Sequence, residues 1–263
     1  MAEPPRLFKT EAFVLRQRDL AEADRLVTLL TPAHGKLEAK ARGVRRPKSR
    51  MGGHLQPLTR VMVQLAQGHT RYVVAGCQTL ESFPALQGDL ERLALALYAC
   101  EVADRFLPPG AEAHTPYRLL LETVRWLERA PQPELAVRRF EARLLALSGF
   151  GPELDHCLGC RRPLPGEGLF SPLAGGVVCP DCGAGQAGAR PLSQGALKAL
   201  RLLQRSSLQE AQRLRLPTPL AREVELHLRS YLAHLLEGEA RSAQMLERLR
   251  RGLTIMPSPG QMP

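Results

Sequence analysis

The chain has 263 residues, with 36 Lys+Arg against 26 Asp+Glu and a formal net charge of +10. At 44% hydrophobic and 24% charged it can build ordinary cores, which excludes a disordered polymer, and its length predicts two or three domains. The longest apolar run, Leu93 to Cys100, is far short of the roughly 18 residues of a membrane span, and Met1–Thr10 lacks the apolar centre of a signal peptide, so a cytoplasmic protein is expected. The charge predicts a polyanionic partner without saying which.

Along the chain, Glu11–Arg18, Arg25–Thr31 and Lys36–Arg42 read as strands, with turn chemistry at Pro32–Gly35. Val61–Leu65 and Arg71–Cys77 follow, joined by a hairpin-like link at Gln67–Thr70. Five short strands in about 80 residues predict a small barrel, with an OB-fold as the leading candidate. After Phe83-Pro84 the period becomes helical. One helix runs from about Leu90 to Leu107. A second is predicted from Thr115-Pro116 to Ala130, and a third, Glu134 to Leu147, is expected to expose Arg138, Arg139 and Arg143. Residues 150–190 are rich in Gly, Pro and Cys and read as a loop-rich insertion. Helices resume at Ser193–Ser206, Pro219–Glu237 and Ala240–Arg251. Together these predict an α+β chain: an OB barrel over 1–83, a helical domain over 84–150 and 191–252, a cysteine module over 151–190 inserted in it, and a flexible tail over 253–263.

The charge is concentrated. Residues 1–83 hold 14 Lys+Arg against 7 Asp+Glu, and Lys36, Lys40, Arg42, Arg45, Arg46, Lys48 and Arg50 face only Glu38 in their run. A basic segment bracketed by strands reads as a phosphate-contacting loop, with a merely solvated loop as the plainer alternative. Arg42, Arg45, Arg46, Lys48 and Arg50 are the central candidates, and Lys36, Lys40, Arg60 and Arg71 the outer ones. Aromatics in this part are few (Phe8, Phe13, Tyr72 and Phe83), and Phe13 reads as core, so binding is expected to be mainly electrostatic.

Cys157-Leu-Gly-Cys160 and Cys179-Pro-Asp-Cys182 form two CxxC pairs separated by residues 161–178. Each short turn can aim two sulfurs at one ion, and two such turns complete a tetrahedron, which predicts structural Zn2+ on Cys157, Cys160, Cys179 and Cys182. Four thiolates leave no open position for catalysis. His156 reads as a bystander, and Cys77 and Cys100 as core thiols. No Walker, GxSxG or HExxH motif occurs, so no enzyme is expected.

Taken in order, several stretches resemble the RecO family of bacterial recombination mediators. They are Ala12–Leu15, Glu22–Leu26 and Leu29–Thr31, then Gly35–Leu37 with Ala39–Arg50 and Leu55–Pro57, then Arg139–Phe150, the cysteine module with Phe170–Pro172 and Gly175–Cys179, and finally Arg241-Ser242 before Met245-Leu246. Arg42 stands where the family usually carries Lys. The resemblance implies an OB domain followed by a helical domain with a zinc module, and DNA repair and recombination at the nucleoid. It implies binding of single- and double-stranded DNA, annealing of complementary strands, and action with RecR to load RecA onto DNA coated by the single-strand-binding protein. It also implies recognition of that protein's acidic C-terminal tail, for which Arg139 is the first candidate, with Arg138, Arg143 and Arg241 behind it. The readings weighed against this are a zinc-ribbon nuclease or RNA-modifying enzyme, and a zinc-containing transcription regulator.

Overall fold

The computed structural model describes residues 7–20, 22–250 and 252; the expected tail over 253–263 lies outside the described residues. Five strands, β1 (Leu7–Asp19), β2 (Arg25–Thr31), β3 (Gly35–Ala41), β4 (Arg60–Ala66) and β5 (Tyr72–Glu81), close in the order β1-β2-β3-β5-β4. This is the expected OB barrel. Strict alternation in β3 and β4 sends Leu37, Ala39, Ala41, Val61, Val63 and Leu65 into one small core. β1 is longer than its apolar run because it serves two partners. Its first half, to Phe13, pairs with β4, and from Phe13 onward it pairs with β2, with an irregularity between Val14 and Arg16. β3 and β5 close the barrel in parallel through only Ala39↔Tyr72 and Lys40↔Val73.

The remainder of the described chain is a helical body carrying a small sheet. Its helices are α1 (Pro84–Gln87), α2 (Leu90–Phe106), α3 (His114–Leu127), α4 (Pro133–Leu147), α5 (Pro180–Gly183), α6 (Gln194–Arg205), α7 (Leu208–Arg213), α8 (Thr218–Leu235) and α9 (Arg241–Arg250). The region expected to be loop-rich contains β6 (Gly168–Ser171) and β7 (Gly176–Val178), which with β8 (Arg190–Leu192) form a three-stranded sheet ordered β7-β6-β8. α3 begins one residue before the expected cap, with no side chain capping it, and ends at Leu127 rather than Ala130. α7 is too short to show a period in the sequence. Ser207 and Glu210 close a capping box that starts it.

The largest departure concerns α4. Arg138 and Arg139, expected on its surface, are 1% and 5% exposed, and Arg143 is half-buried with Nη1 donating to the Gln204 carbonyl. The helix is covered by α2, α3, α6, α7 and α8, which leaves only its last turn, at Ala146 and Leu147, open to solvent.

Barrel and helical body share a core. Phe13, Leu15, Leu30, Leu58 and Phe83 pack with the helices and not with the barrel interior, which explains why β2 is buried on both faces. Polar ties reinforce the seam. Arg60 binds Glu11 through two nitrogens at 2.7 and 2.9 Å and reaches Glu81 at 3.3 Å; Tyr117 donates to Glu11, and Arg125 grips Glu81. Backbone N–H groups of Gly110 and Ala113 donate to the carbonyls of Lys36 and Pro32. Gly35 sits at this junction with φ +63°, and an added Cβ would lie 1.9 Å from the Ala111 carbonyl oxygen. A Gly35→Ala variant is therefore expected to lose at least ~1–3 kcal/mol from backbone strain alone, read as a lower urea midpoint; an unchanged midpoint would show that the seam yields there.

Candidate nucleic-acid interface and metal centre

The loop joining β3 to β4 carries the densest positive charge. It is an ordered segment, because its apolar residues are anchored. Val44 and Leu55 enter the barrel core and Met51 packs on it. Asp24 accepts from the Gly43 backbone N–H at 2.8 Å and pairs with Lys40 at 2.9 Å. The Gly43 amide, then Lys40, hold its carboxyl below the usual value. His54 Nδ1 meets Thr79 Oγ1 at 2.8 Å, pinning the far end to β5. With its apolar side chains turned inward, the loop leaves Arg42, Arg45, Arg46, Lys48 and Arg50 exposed. Arg45 also reaches Asp19, at 3.2 Å.

The outer candidates do not all join this surface. Arg60 is consumed by Glu11 and Glu81 at the seam, where Glu11 first and Tyr117 next keep its guanidinium charged. Lys36 is 15% exposed and pairs with Asp104 of α2 at 3.3 Å. Lys40 belongs to Asp24, and Arg71 pairs with Glu38 at 3.4 Å. In sequence these positions adjoin the basic run; the carboxylates that hold Lys36 and Arg60 come from distant elements.

The four cysteines converge. Their Sγ atoms all lie within 4.8 Å of one another, and no other such cluster of His, Cys, Asp or Glu occurs among the described residues. The Cys160 and Cys179 sulfurs are 3.9 Å apart, too far for a disulfide and close to the ~3.8 Å edge of a tetrahedron with ~2.3 Å metal–sulfur bonds. The turns supply donors to the sulfurs. Burial opposes ionisation of Cys157, yet backbone N–H groups of Cys160, Cys179 and Gly159 bring its thiol down to about 6. Backbone and guanidinium donors of Arg162 lower Cys160 as well. Gly159 is required here, since a Cβ would stand 2.7 Å from that of Cys182. The donor set and spacing fit a metal ion. The exposed His156 is directed to Glu153, at 3.8 Å, and is outside the cluster. Cys100 is buried and Cys77 half-buried, as core thiols should be.

The module docks on the helices through Arg201, which donates to the carbonyls of Leu154 and Leu164, and through Phe170, which packs between a tilted His227 ring and an edge-on Tyr231 ring. His227 is 1% exposed and neither ring nitrogen has a hydrogen-bond partner among the described residues. Burial pushes its pKa below the ordinary 6.5, against an upward pull from Glu223. The folded chain therefore resists a proton that the unfolded chain accepts below pH ~6.5, so stability is full above that pH and falls beneath it. A His227→Phe variant is expected to flatten the fall in melting temperature between pH 7 and 5; an unaltered slope would exclude His227 as its source.

Of the residues foreseen for an acidic tail, Arg138 and Arg139 are interior. Arg143 is held by the Gln204 carbonyl in the last turn of α6, and Arg241 begins α9, with its backbone N–H held by Glu101. They do not form one surface. Arginines beside an apolar hollow do occur nearby. Arg125 and Arg129 flank a cavity of about 480 Å³ walled by Trp126, Leu208 and Gln212, and Arg139 reaches toward its rim through Glu122.

An OB barrel presenting an anchored cationic loop, fused through a shared core to a helical body with a four-cysteine module, defines a two-part architecture with a candidate polyanion-binding face. The family model described as recombination protein O N terminal matches residues 5–83, and that described as recombination protein O C terminal matches residues 87–244. The chain belongs to the RecO family. It is 38% identical over 247 residues to a DNA repair protein RecO of Dehalococcoides mccartyi strain CBDB1, covering 94% of this chain and 97% of the relative. It is 39% identical over 249 residues to that of Roseiflexus sp. RS-1, covering 94% and 88%. With that of Desulforudis audaxviator it shares 42% over 242 residues, covering 92% and 97%. No described helix is long and apolar enough to cross a membrane.

Proposed function

We propose that the chain is a mediator of DNA repair and recombination that binds single- and double-stranded DNA through the β3–β4 loop and anneals complementary strands. The observation that carries this is the loop's construction: Val44 and Leu55 fix it to the barrel while five cations remain at the surface. A rigid cationic face neutralises two phosphate backbones at once, which lowers the repulsion between pairing strands. The role requires no bond chemistry from the protein, and the barrel's ordered cations suit phosphate better than sequence readout. Family membership supports RecR as the partner with which RecA is loaded at the chromosome, and the cysteine module is read as a structural Zn2+ site whose metal holds the 151–190 fold.

Reversing Arg45, Arg46 and Lys48 to Glu is expected to weaken DNA binding and to reduce the salt slope of affinity by about 0.7–0.9 for each phosphate no longer neutralised. Unchanged affinity and slope would place DNA elsewhere. Strand annealing with and without divalent metal separates a mediator from a nuclease, since only a nuclease degrades the strands.

For the acidic tail of the single-strand-binding protein, we place the site at the Trp126–Leu208 hollow, where an apolar terminus can be buried and its carboxylate met by Arg129. A tail peptide titrated against an Arg129→Glu variant should bind at least roughly tenfold more weakly, as one charge-assisted hydrogen bond implies; equal affinity would reject this hollow.

A further inference from the structure

We propose that the barrel holds a second DNA-binding element, a base-stacking subsite for a single strand at Tyr72, separate from the cationic loop. It rests on the proposed DNA-binding function and extends it.

The carrying observation is an aromatic cluster at the barrel end away from that loop. Tyr72 opens β5, Phe8 lies near the start of β1, and His34 occupies the β2–β3 turn. Phe8 meets His34 at 4.4 Å between ring centroids and meets Tyr72 edge-on at 5.5 Å and 86°. Phe8 and Tyr72 both pack against the barrel core yet remain half-exposed. Tyr72 is thus held by a perpendicular ring, so a base stacking on it finds the platform already ordered.

Tyr72 lines a cleft of about 570 Å³ between the outer face of β3, the β4–β5 link and the α2–α3 connection. That volume lies within the ~300–1,000 Å³ typical of small-molecule sites. Arg16 and Arg71 flank the cleft and share Glu38, each at 3.4 Å, with both arginines 46% exposed. Arg16 is also held by Asp104 at 2.5 Å and stays with the seam, whereas the exposed Arg71–Glu38 pair is weak, so a phosphate can take the Arg71 guanidinium at little cost. Lys36 is bound more deeply to Asp104 and stays with the seam. A ring beside an exchangeable arginine, with a second cation next to it, is the chemistry of a nucleotide with its base unpaired and its backbone adjacent. Stacked bases inside a duplex offer no free face, so the subsite selects single strands. The cationic loop, with no Phe, Tyr or Trp between Lys36 and Arg71, does not.

The test uses the full-length protein, oligothymidylate and a duplex of equal length. Tyr72→Leu is expected to lower affinity for oligothymidylate by roughly 5- to 150-fold, with salt slope and duplex affinity unchanged, while Tyr72→Phe retains parental binding. The loop reversal instead lowers both affinities and the slope. Parental oligothymidylate affinity in Tyr72→Leu, or equal losses on strand and duplex, would overturn the subsite and leave the loop's role intact. A parent protein that binds neither probe would overturn both. Should Tyr72→Leu fail to fold, photo-crosslinking of an iododeoxyuridine oligonucleotide to the parent protein decides. Adducts on Phe8, His34 or Tyr72 support the subsite, and adducts confined to other peptides reject it.

Discussion

Replacing Arg138 with methionine is expected to destabilise the protein by about 3–5 kcal/mol, measured as a fall in the free energy of urea unfolding. Arg138 is fully enclosed, with Nη1 3.0 Å from Glu141 Oε2 and its guanidinium carbon 5.7 Å from the Tyr98 ring centre. Tyr98 donates to Glu141 at 2.5 Å, so one enclosed carboxylate serves both an arginine and a tyrosine. Burial pushes the Glu141 carboxyl up to about 7 even though Arg138 and Tyr98 pull it down. Removing the arginine leaves that charge without its partner, and the carboxyl then takes a proton. The sign follows from linkage. A carboxyl whose folded pKa lies above its unfolded value of 4.5 contributes stability below 4.5 that is lost as pH rises through the folded pKa. The loss in the variant should therefore be greater at pH 8 than at pH 5.5. The double variant Arg138→Met, Glu141→Leu is expected to recover most of the stability, because replacing both partners leaves no orphaned charge. A single variant as stable as its parent would mean that water reaches this pair.

The second large effect concerns the metal. Removing the proposed structural Zn2+ with a chelator, or substituting Cys157 with Ser, is expected to unfold the 151–190 module while the barrel persists. Structural zinc contributes about 10–16 kcal/mol of apparent binding free energy in small zinc-folded peptides, and a short sheet such as β7-β6-β8 has little else to hold it. Hydrogen exchange should show protection lost over residues 151–190 and kept over β1–β5, alongside loss of the proposed one Zn2+ per chain by elemental analysis. Full protection after chelation would show that docking of Phe170, Val177 and Leu192 suffices without metal.

Much of this is readable along the chain. Strand alternation in β3 and β4 and the turn residues between β2 and β3 express local periodicity, which side-chain direction enforces regardless of the rest of the fold. The CxxC pairs are equally legible, since two residues between thiols define a turn on their own. The β6–β7 hairpin is not, because its strands are only 4 and 3 residues long and rich in glycine. α7 is hidden for a similar reason, being six residues long. The Phe8, His34 and Tyr72 cluster is invisible in another way. Its members lie in separate elements and meet only when the barrel closes.

Local sequence is enough to set the kind of each long element, the pairing of the four clustered cysteines and the concentration of charge before residue 84. The fate of each individual charge is a matter of the folded chain. Arg42 and Arg60 read alike in sequence, as do Arg241 and Arg138, yet Arg42 and Arg241 lie at the surface while Arg60 and Arg138 are held by carboxylates. The reason is physical. A strand or helix is specified by neighbours a few residues away, whereas the cost of enclosing a cation depends on whether Glu11, Glu81 or Glu141 is brought to it, and that is settled only by packing.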